Sequence, residues 1–150
     1  MKPDPSRRGL ALLCAGGLLA TLPWPITGTF AAPRAADLPQ PKEVDGITWL
    51  SGGIGRSEQR ALRAASSRYD IELTFSRSDG SFLTAVRVAI DDADGTRLLE
   101  ANSEGPIFLV RLPPGTYDVA ALWNEHLLSK KALVTGRSTV RLSFRWPPPE

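Results

Sequence analysis

The sequence of 150 residues is 42% hydrophobic and 23% charged, the composition of a globular protein. Three of its 18 basic residues and one of its 16 acidic residues lie within the first 31 positions, so 15 of each sign remain beyond them. This neutral balance argues against nucleic acid and anionic membrane surfaces as partners. The one cysteine, Cys14, also lies in the first 31 residues, which excludes a disulfide, a thiol nucleophile or a cysteine-ligated metal from the rest.

Residues 1–31 have the three parts of a signal peptide. A basic segment precedes an apolar run of 13 residues from Leu10 to Leu22, and Thr29 and Ala31 provide the small residues of a cleavage site. Such a run is too short to span a bilayer as a helix. We therefore expect Sec export to the periplasm or medium, with cleavage after Ala31 and no membrane span afterwards. The pair Arg7-Arg8 leaves the twin-arginine route as the alternative.

Proline marks the predicted boundaries of the exported part. Ten of the 13 prolines lie before residue 42 or after residue 146. Residues 32–43 are predicted to form an extended Pro-rich linker, and residues 147–150 a short tail in which no sheet could continue. A single domain over residues 44–146 is the consequence.

The domain is filled by short segments with the alternation of a half-buried strand. In residues 69–75, aromatic and aliphatic side chains alternate with Asp70, Glu72 and Thr74, and residues 140–146 show the same pattern. The apolar run 107–110 has no polar side and is predicted to lie in the middle of a sheet. Turn signals every 8–12 residues indicate a mainly β, seven- to eight-stranded antiparallel sandwich of the Ig-like or prealbumin-like kind.

The front of the domain is predicted to differ from the rest. Residues 46–50 have the pattern of a short strand, and the segment that begins at Ser57 has helix-forming composition. Ser57 is the expected N-cap, and Leu62 and Ala65 share the expected buried face. The sequence thus predicts one strand and one short helix leading into the sandwich.

The turn from Leu112 to Tyr117, of sequence LPPGTY, is the most specific local motif. Two prolines and Gly115 set the turn, and Tyr117 is expected to re-enter a strand facing inward. With the preceding hairpin segment, whose turn is Asp94-Gly95, residues 69–145 resemble the carboxypeptidase regulatory-like domains, small prealbumin-like sandwiches found in many exported bacterial proteins. The resemblance implies a non-catalytic accessory or recognition module, and it transfers no active-site residue.

Catalytic motifs are not supported by the residues present. His126 is the one histidine of the sequence. The His-x-x-Glu pair and the second histidine of a metallocarboxypeptidase are therefore missing. The C-terminal motif of prealbumin-like hydroxyisourate hydrolases and a Gly-x-Ser-x-Gly elbow are missing too. The segment Asp91–Gly95 lacks the remaining ligands of a calcium loop and is predicted to be a hairpin tip. We expect no enzyme, no metal and no cofactor.

The connection between the first strand and the helix is the best candidate for a binding site. Gly52, Gly53 and Gly55 are denser than a plain connection needs, and Arg56 follows them. Backbone amides at a helix start can hold an anion, although the glycines also fit a tight strand-to-helix connection in which they only permit the path of the backbone. Trp49 adjoins this loop, and among the tryptophans it is the one whose role, in the core or in binding, the sequence leaves open.

Trp123 and Trp146 fall on rows that are expected to face the core, and four strand arginines are expected on solvent-facing rows: Arg87, Arg111, Arg141 and Arg145. We interpret the chain as a non-enzymatic exported module that recognises another envelope protein, with a weak candidate site at the glycine loop and Trp49. Two alternatives stay open. A carbohydrate-binding module requires an exposed Trp49, and a small hydrolase would depend on His126.

Overall fold

A computed structural model describes residues 38–148. The predicted signal peptide at 1–31, residues 32–37 of the predicted linker and residues 149–150 of the predicted tail lie outside this range.

The described part of the chain is mainly β, as predicted, with nine strands rather than seven or eight. One short helix and one turn of 3₁₀ helix accompany them. In chain order the elements are β1 Lys42–Val44, β2 Ile47–Gly52, α1 Arg56–Ala65, a 3₁₀ turn Ser66–Arg68, β3 Ile71–Arg77, β4 Arg87–Asp92, β5 Arg97–Asn102, β6 Ile107–Val110, β7 Gly115–Trp123, β8 His126–Val134 and β9 Val140–Trp146.

The strands form two sheets that face each other across one core. The first sheet has five strands in the order β1-β2-β6-β3-β9, and the second has four in the order β5-β4-β7-β8. Strand β6, the apolar run 107–110, lies in the middle of the first sheet, which confirms that prediction. A sandwich is therefore the architecture of this domain.

The prediction of a wholly antiparallel sandwich was wrong at one pair of strands. Strands β3 and β9 pair in parallel, with Ile71 opposite Val140 and Phe75 opposite Phe144. A period of two fixes which side chains face the core but carries no information on strand direction. The apolar rows of both strands lie in register on the core side, so the sequence pattern fits a parallel pair as well as an antiparallel one.

The core between the sheets is built from the inward rows that the alternation indicated. Ile71, Leu73 and Phe75 of β3 are fully buried, and so are Phe144 and Trp146 of β9. Arg87, Arg141 and Arg145 are exposed strand residues, as predicted, and Arg111 is exposed too but directly follows β6 instead of lying in it. Apolar alternation was thus a sufficient guide to the faces of these strands.

Helix α1 covers the other face of the first sheet. Leu62 of the helix packs with Leu50 of β2 and Leu109 of β6 in an apolar cluster separate from the sandwich core. Leu62 and Ala65 are buried, as predicted. The predicted N-cap was wrong: the cap residue is Gly55, with φ −95° and ψ 154°, and no side chain caps the helix. Ser57 lies within the first turn instead.

The predicted linker extends too far into the domain. Lys42 and Glu43 belong to β1, where they pair with Trp49 and Thr48 of β2. Residues Asp45 and Gly46 form the intervening turn, both with positive φ. Because a two-residue hairpin brings its strands together immediately, the domain begins at Lys42 rather than at residue 44.

The turn from Leu112 to Tyr117 folds as its sequence predicts. Tyr117 is buried in the core, and its hydroxyl donates to the carbonyl oxygen of Pro113 at 2.5 Å. The Asp94-Gly95 turn joins β4 to β5, where Asp92 Oδ1 accepts from the amides of Asp94 and Thr96, each at 2.9 Å. Between residues 38 and 148, no helix is long and apolar enough to cross a bilayer.

Candidate functional site

The glycine loop joins the end of β2 to the start of α1. Gly52 ends the strand, Gly53 has φ +100°, and Gly55 caps the helix. Arg56 follows as the first helical residue and is exposed. These four residues are therefore adjacent in space, as the sequence suggested.

Packing explains why glycines stand at this corner. A β-carbon on Gly52 would overlap the carboxylate of Glu58, and one on Gly105 would overlap the carbonyl of Gly52. The φ of Gly53 lies in the left-handed region, where a side chain is strained. By contrast, a β-carbon on Gly55 would meet nothing closer than Ser57 Oγ at 4.0 Å.

The backbone amide of Gly53, in the loop that was expected to hold an anion, is already hydrogen-bonded within the chain. The backbone N–H of Gly53 donates to Glu58 Oε1 at 2.9 Å, and Gln59 Nε2 donates to the carbonyl oxygen of Gly53 at 2.7 Å. A carboxylate at this place satisfies both the loop amide and the positive end of the helix dipole. The loop is thus held closed on the helix by Glu58 and Gln59.

Trp49 does not join the glycine loop. It lies on the opposite face of β2 from Leu50 and Gly52, in the sandwich core, with 6% of its surface exposed. Its indole stacks on Phe108, and the ammonium of Lys42 lies 5.0 Å from the centre of its ring. The sequence left the position of Trp49 open, and its burial does not meet the exposure that the carbohydrate alternative requires.

The other tryptophans pack where the alternation placed them. Trp146 is buried and Trp123 is half-buried beside it, with 6.4 Å between ring centres and 61° between planes. Nε1 of Trp146 donates to the backbone carbonyl of His126 at 2.9 Å. An inward position for both rings is confirmed.

His126 is an exposed residue of the β7–β8 hairpin. The two residues between these strands, Asn124 and Glu125, have φ of 46° and 67°, the signs of a type I′ turn. Within residues 38–148, no group of three His, Cys, Asp or Glu side chains is placed to hold a metal ion. The arrangement around His126 is that of a tight hairpin.

Strand β8 is a surface feature that sequence reasoning missed. It lies at the edge of the four-stranded sheet and pairs with β7 along its other side over nine residues. Leu127 and Leu133 are each 64% exposed, on the face away from the core. The signal was present in the sequence, because leucines occur on both rows of HLLSKKALV, whereas a half-buried strand needs them on one.

The edge of β8 away from β7 pairs with no strand of the described chain, although Lys130 donates to the backbone carbonyl of Ser143 in the neighbouring strand β9 at 2.6 Å. A two-residue hairpin closes on a hydrogen-bonded pair, here Trp123 and His126, and the bonded pairs then alternate along the strands. The N–H and C=O groups that point away from β7 therefore belong to Leu127, Ser129, Lys131 and Leu133. No backbone hydrogen bond reaches them from another element of the described chain.

A shallow depression lies beside Leu127, on the face of the four-stranded sheet that points away from the core. It has a volume of about 220 Å³ and a floor of small and aliphatic side chains, with Arg87, Arg97 and Glu100 at its rim. A hydrogen bond from Arg87, then its positive charge, and further contacts with Arg97 lower the pKa of Glu100 below its ordinary value. The rim carboxylate is thus already engaged with cations.

No protein-family model matches the chain, and no curated protein matches it either.

Proposed function

We propose that the chain is an exported, non-enzymatic module that recognises another cell-envelope protein through strand β8. The observation that carries the proposal is the unpaired edge of this strand: four residues there have backbone groups without a strand partner, and two of the four are exposed leucines. An edge of this kind pairs with an extended segment of a partner, which adds a strand to the sheet.

The fold type belongs to the same proposal. We take the sandwich to be of the prealbumin-like, carboxypeptidase regulatory-like kind. The buried Tyr117 with its bond to Pro113, together with the Asp94-Gly95 hairpin, supports this assignment, because these are the motifs on which the resemblance rests. Domains of this kind act as accessory modules beside other proteins.

The residues along β8 indicate the chemistry of the partner. Four side chains follow each other along the exposed face: Leu127, Ser129, Lys131 and Leu133. A complementary strand has apolar side chains beside the leucines and an acidic one beside Lys131, since opposite charges stabilise cross-strand pairs. Lys131 contacts Asp118 at 3.7 Å, and both side chains are largely exposed, so this pair leaves the ammonium accessible.

A second copy of the chain fits this edge poorly. Antiparallel pairing of two β8 strands about their centres would bring Lys130 and Lys131 of one copy close to the same residues of the other. Like charges that face each other across a strand pair are destabilising. A partner of different sequence is therefore the proposed occupant.

Site-specific cross-linking in the producing cell tests the proposal. A photo-reactive amino acid replaces Ser129, whose backbone N–H and C=O point to the open edge. We expect one envelope protein to be captured, through a segment with alternate apolar residues and an acidic residue between them. The double variant Leu127→Thr, Leu133→Thr should lose this capture while keeping its circular dichroism spectrum.

The matched control is the double variant Ile54→Thr, Phe82→Thr. It removes two apolar side chains, 73% and 50% exposed, neither of which belongs to β8. Capture should survive in this control. Equal loss in both double variants, or no specific adduct at Ser129, would overturn the proposal that β8 is the recognition edge.

A synthetic peptide of the captured segment provides the second measurement. Its binding should slow the amide hydrogen exchange of Ser129 and Lys131 and leave the amides of β1, on the other sheet, unchanged. His126→Ala should bind the peptide as the wild type does, because the proposal assigns this residue no role in recognition or catalysis.

A further inference from the structure

A cleft lies on the helix-covered side of the first sheet, on the other side of the molecule from the β8 edge. Its volume is about 360 Å³, within the range of small-molecule sites. The segment Leu38–Pro41 forms one wall, and Leu50, Ala65 and Tyr69 form the apolar floor. Arg68 and Arg111 complete the lining, and no acidic residue takes part in it.

Arg111 is held in one orientation by two contacts. Its Nε donates to the backbone carbonyl of Arg68 at 3.0 Å, and its guanidinium lies 5.1 Å from the centre of the Tyr69 ring. Within residues 38–148, its two terminal nitrogens make no hydrogen bond. A guanidinium fixed through Nε presents these nitrogens side by side, in the fork that matches the two oxygens of a carboxylate.

The charge around the cleft favours an anion. Segment 56–68 carries four arginines and one acidic residue, Glu58. Glu58 is not part of the cleft lining, and its carboxylate accepts from the Gly53 amide. No carboxylate of the described chain forms an ion pair with Arg68 or Arg111, although other arginines of the domain have acidic partners. Around the cleft, the described chain therefore carries a local excess of positive charge.

We propose that this cleft binds small organic acids: a carboxylate held by Arg111 and Arg68, attached to an apolar or aromatic body that packs on Leu50, Ala65 and the proline-rich wall. The carboxylate pairs with the fork of Arg111, and the body replaces water against the apolar floor. Recognition of both parts follows from a lining that combines apolar side chains with two arginines.

The probes that test this are N-acetylphenylalanine and its amide, which differ in the carboxylate alone. The protein is purified after expression of the full 150-residue sequence, and binding is followed by NMR of the arginine Nε–H groups and the leucine and alanine methyls. We expect N-acetylphenylalanine to shift Arg111 Nε–H and the methyls of Leu50 and Ala65 in a saturable way. The amide should bind at least about tenfold more weakly, because it lacks the charged partner of the fork.

Two variants and a control complete the test. Arg111→Gln should weaken binding about tenfold or more, and Arg111→Lys should restore little of it, because an ammonium lacks the planar fork. Arg60→Gln removes one positive charge from the same helix layer outside the cleft and should leave binding within about twofold. Since Arg111 is exposed, these variants are expected to fold as the wild type does.

A second pair of probes, phenyl phosphate and phenylacetate, compares a phosphate with a carboxylate on an aromatic ring. Three results would overturn the proposal: equal binding of the amide, binding that survives Arg111→Gln, or phenyl phosphate binding more tightly than phenylacetate. The last would assign the cleft to phosphates instead of carboxylates. Since these measurements involve neither β8 nor a partner protein, their outcome is independent of the function proposed for the β8 edge.

Discussion

The ring of Trp49 stacks on the ring of Phe108, with 4.9 Å between centres and 10° between planes. This pair lies where β2 meets β6 inside the first sheet, and its indole faces the second sheet through the core. The role that follows for Trp49 is to stabilise the sandwich, and its replacement should affect folding before any binding.

Trp49→Ala should destabilise the domain by about 3–5 kcal/mol, because it leaves a large cavity against Phe108. Trp49→Phe should cost less, since it keeps an aromatic stack and removes the indole N–H, which is buried without a partner among the described residues. Urea unfolding followed by circular dichroism measures both. Phe82→Ala, at a half-exposed ring, is the control and should change stability by no more than about 0.5 kcal/mol. A Trp49→Ala protein as stable as the wild type would contradict the buried stack.

The glycine loop gives a prediction from two neighbouring positions. Gly53→Ala should destabilise the domain by about 1–3 kcal/mol, because the φ of +100° is strained for a residue with a side chain. Gly55→Ala should cost only about 0.5 kcal/mol, because the conformation there is extended and the space is open. Thermal unfolding of the two single variants compares them directly. Equal effects would mean that the loop does not need the left-handed backbone at Gly53.

Tyr117 links the predicted turn to stability through its hydroxyl. Tyr117→Phe removes the bond to Pro113 and should destabilise the domain by about 1 kcal/mol at neutral pH. Tyr69→Phe, at the edge of the helix-side cluster, is the comparison. If the urea midpoint of Tyr117→Phe equalled that of the wild type, the hydroxyl bond would contribute nothing to the fold.

The same residue predicts how stability changes in alkali. Burial, and then the negative charges of Asp70 and Asp92, raise the pKa of Tyr117 above its ordinary 10.0. The unfolded chain therefore releases the phenolic proton at a lower pH than the folded chain does. This contribution to stability is complete below about pH 10 and is lost as the pH rises through the native pKa. Absorbance of the phenolate at 295 nm should show one tyrosine of the folded protein titrating late, and Tyr117→Phe should lack it.

Arg141 and Arg145, on one strand, provide a test of the parallel pair. Glu72 lies opposite Arg141 in the register and accepts from its Nε at 3.2 Å, while the Glu72 side chain is only 11% exposed. Arg141→Ala leaves this carboxylate nearly buried without its partner and should destabilise the domain by about 1–2 kcal/mol. Arg145→Ala should change stability by no more than about 0.5 kcal/mol. Similar losses in both would contradict the register of β3 and β9.

The faces of most strands could be predicted from the sequence, because each inward row buries alternate apolar side chains. The face of Trp49 could not. Both sides of β2 are covered, one by the second sheet and one by helix α1, so Trp49 and Leu50 are both buried and the alternation disappears. The apolar residues at successive positions then give no sign of which one faces which layer.

The candidate site was predicted with less success, for a similar reason. Glycine density at positions 52–55 was visible, but the carboxylate of Glu58 that closes the loop is brought there by the turn of the helix. The cleft at Arg111 unites residues from four separate segments of the chain. No local sequence pattern predicts that these residues lie close together. The exposed face of β8, by contrast, could be inferred from the leucines on both rows of its sequence.

The parallel pairing of β3 with β9 also bears on how the chain can fold. The two strands are separated by about 70 residues, and the side chains of Phe75, Phe144 and Trp146 complete each other's burial. Closing so long a loop is slow, so this pair of strands is expected to form late in folding. The domain becomes fully cooperative only when the pair has formed. In a chain that crosses a membrane from its N-terminus, the proposed export would deliver β9 last. The earlier strands would then lack a complete core until the end of the domain had crossed. The chain would therefore stay unfolded while it is threaded through the membrane.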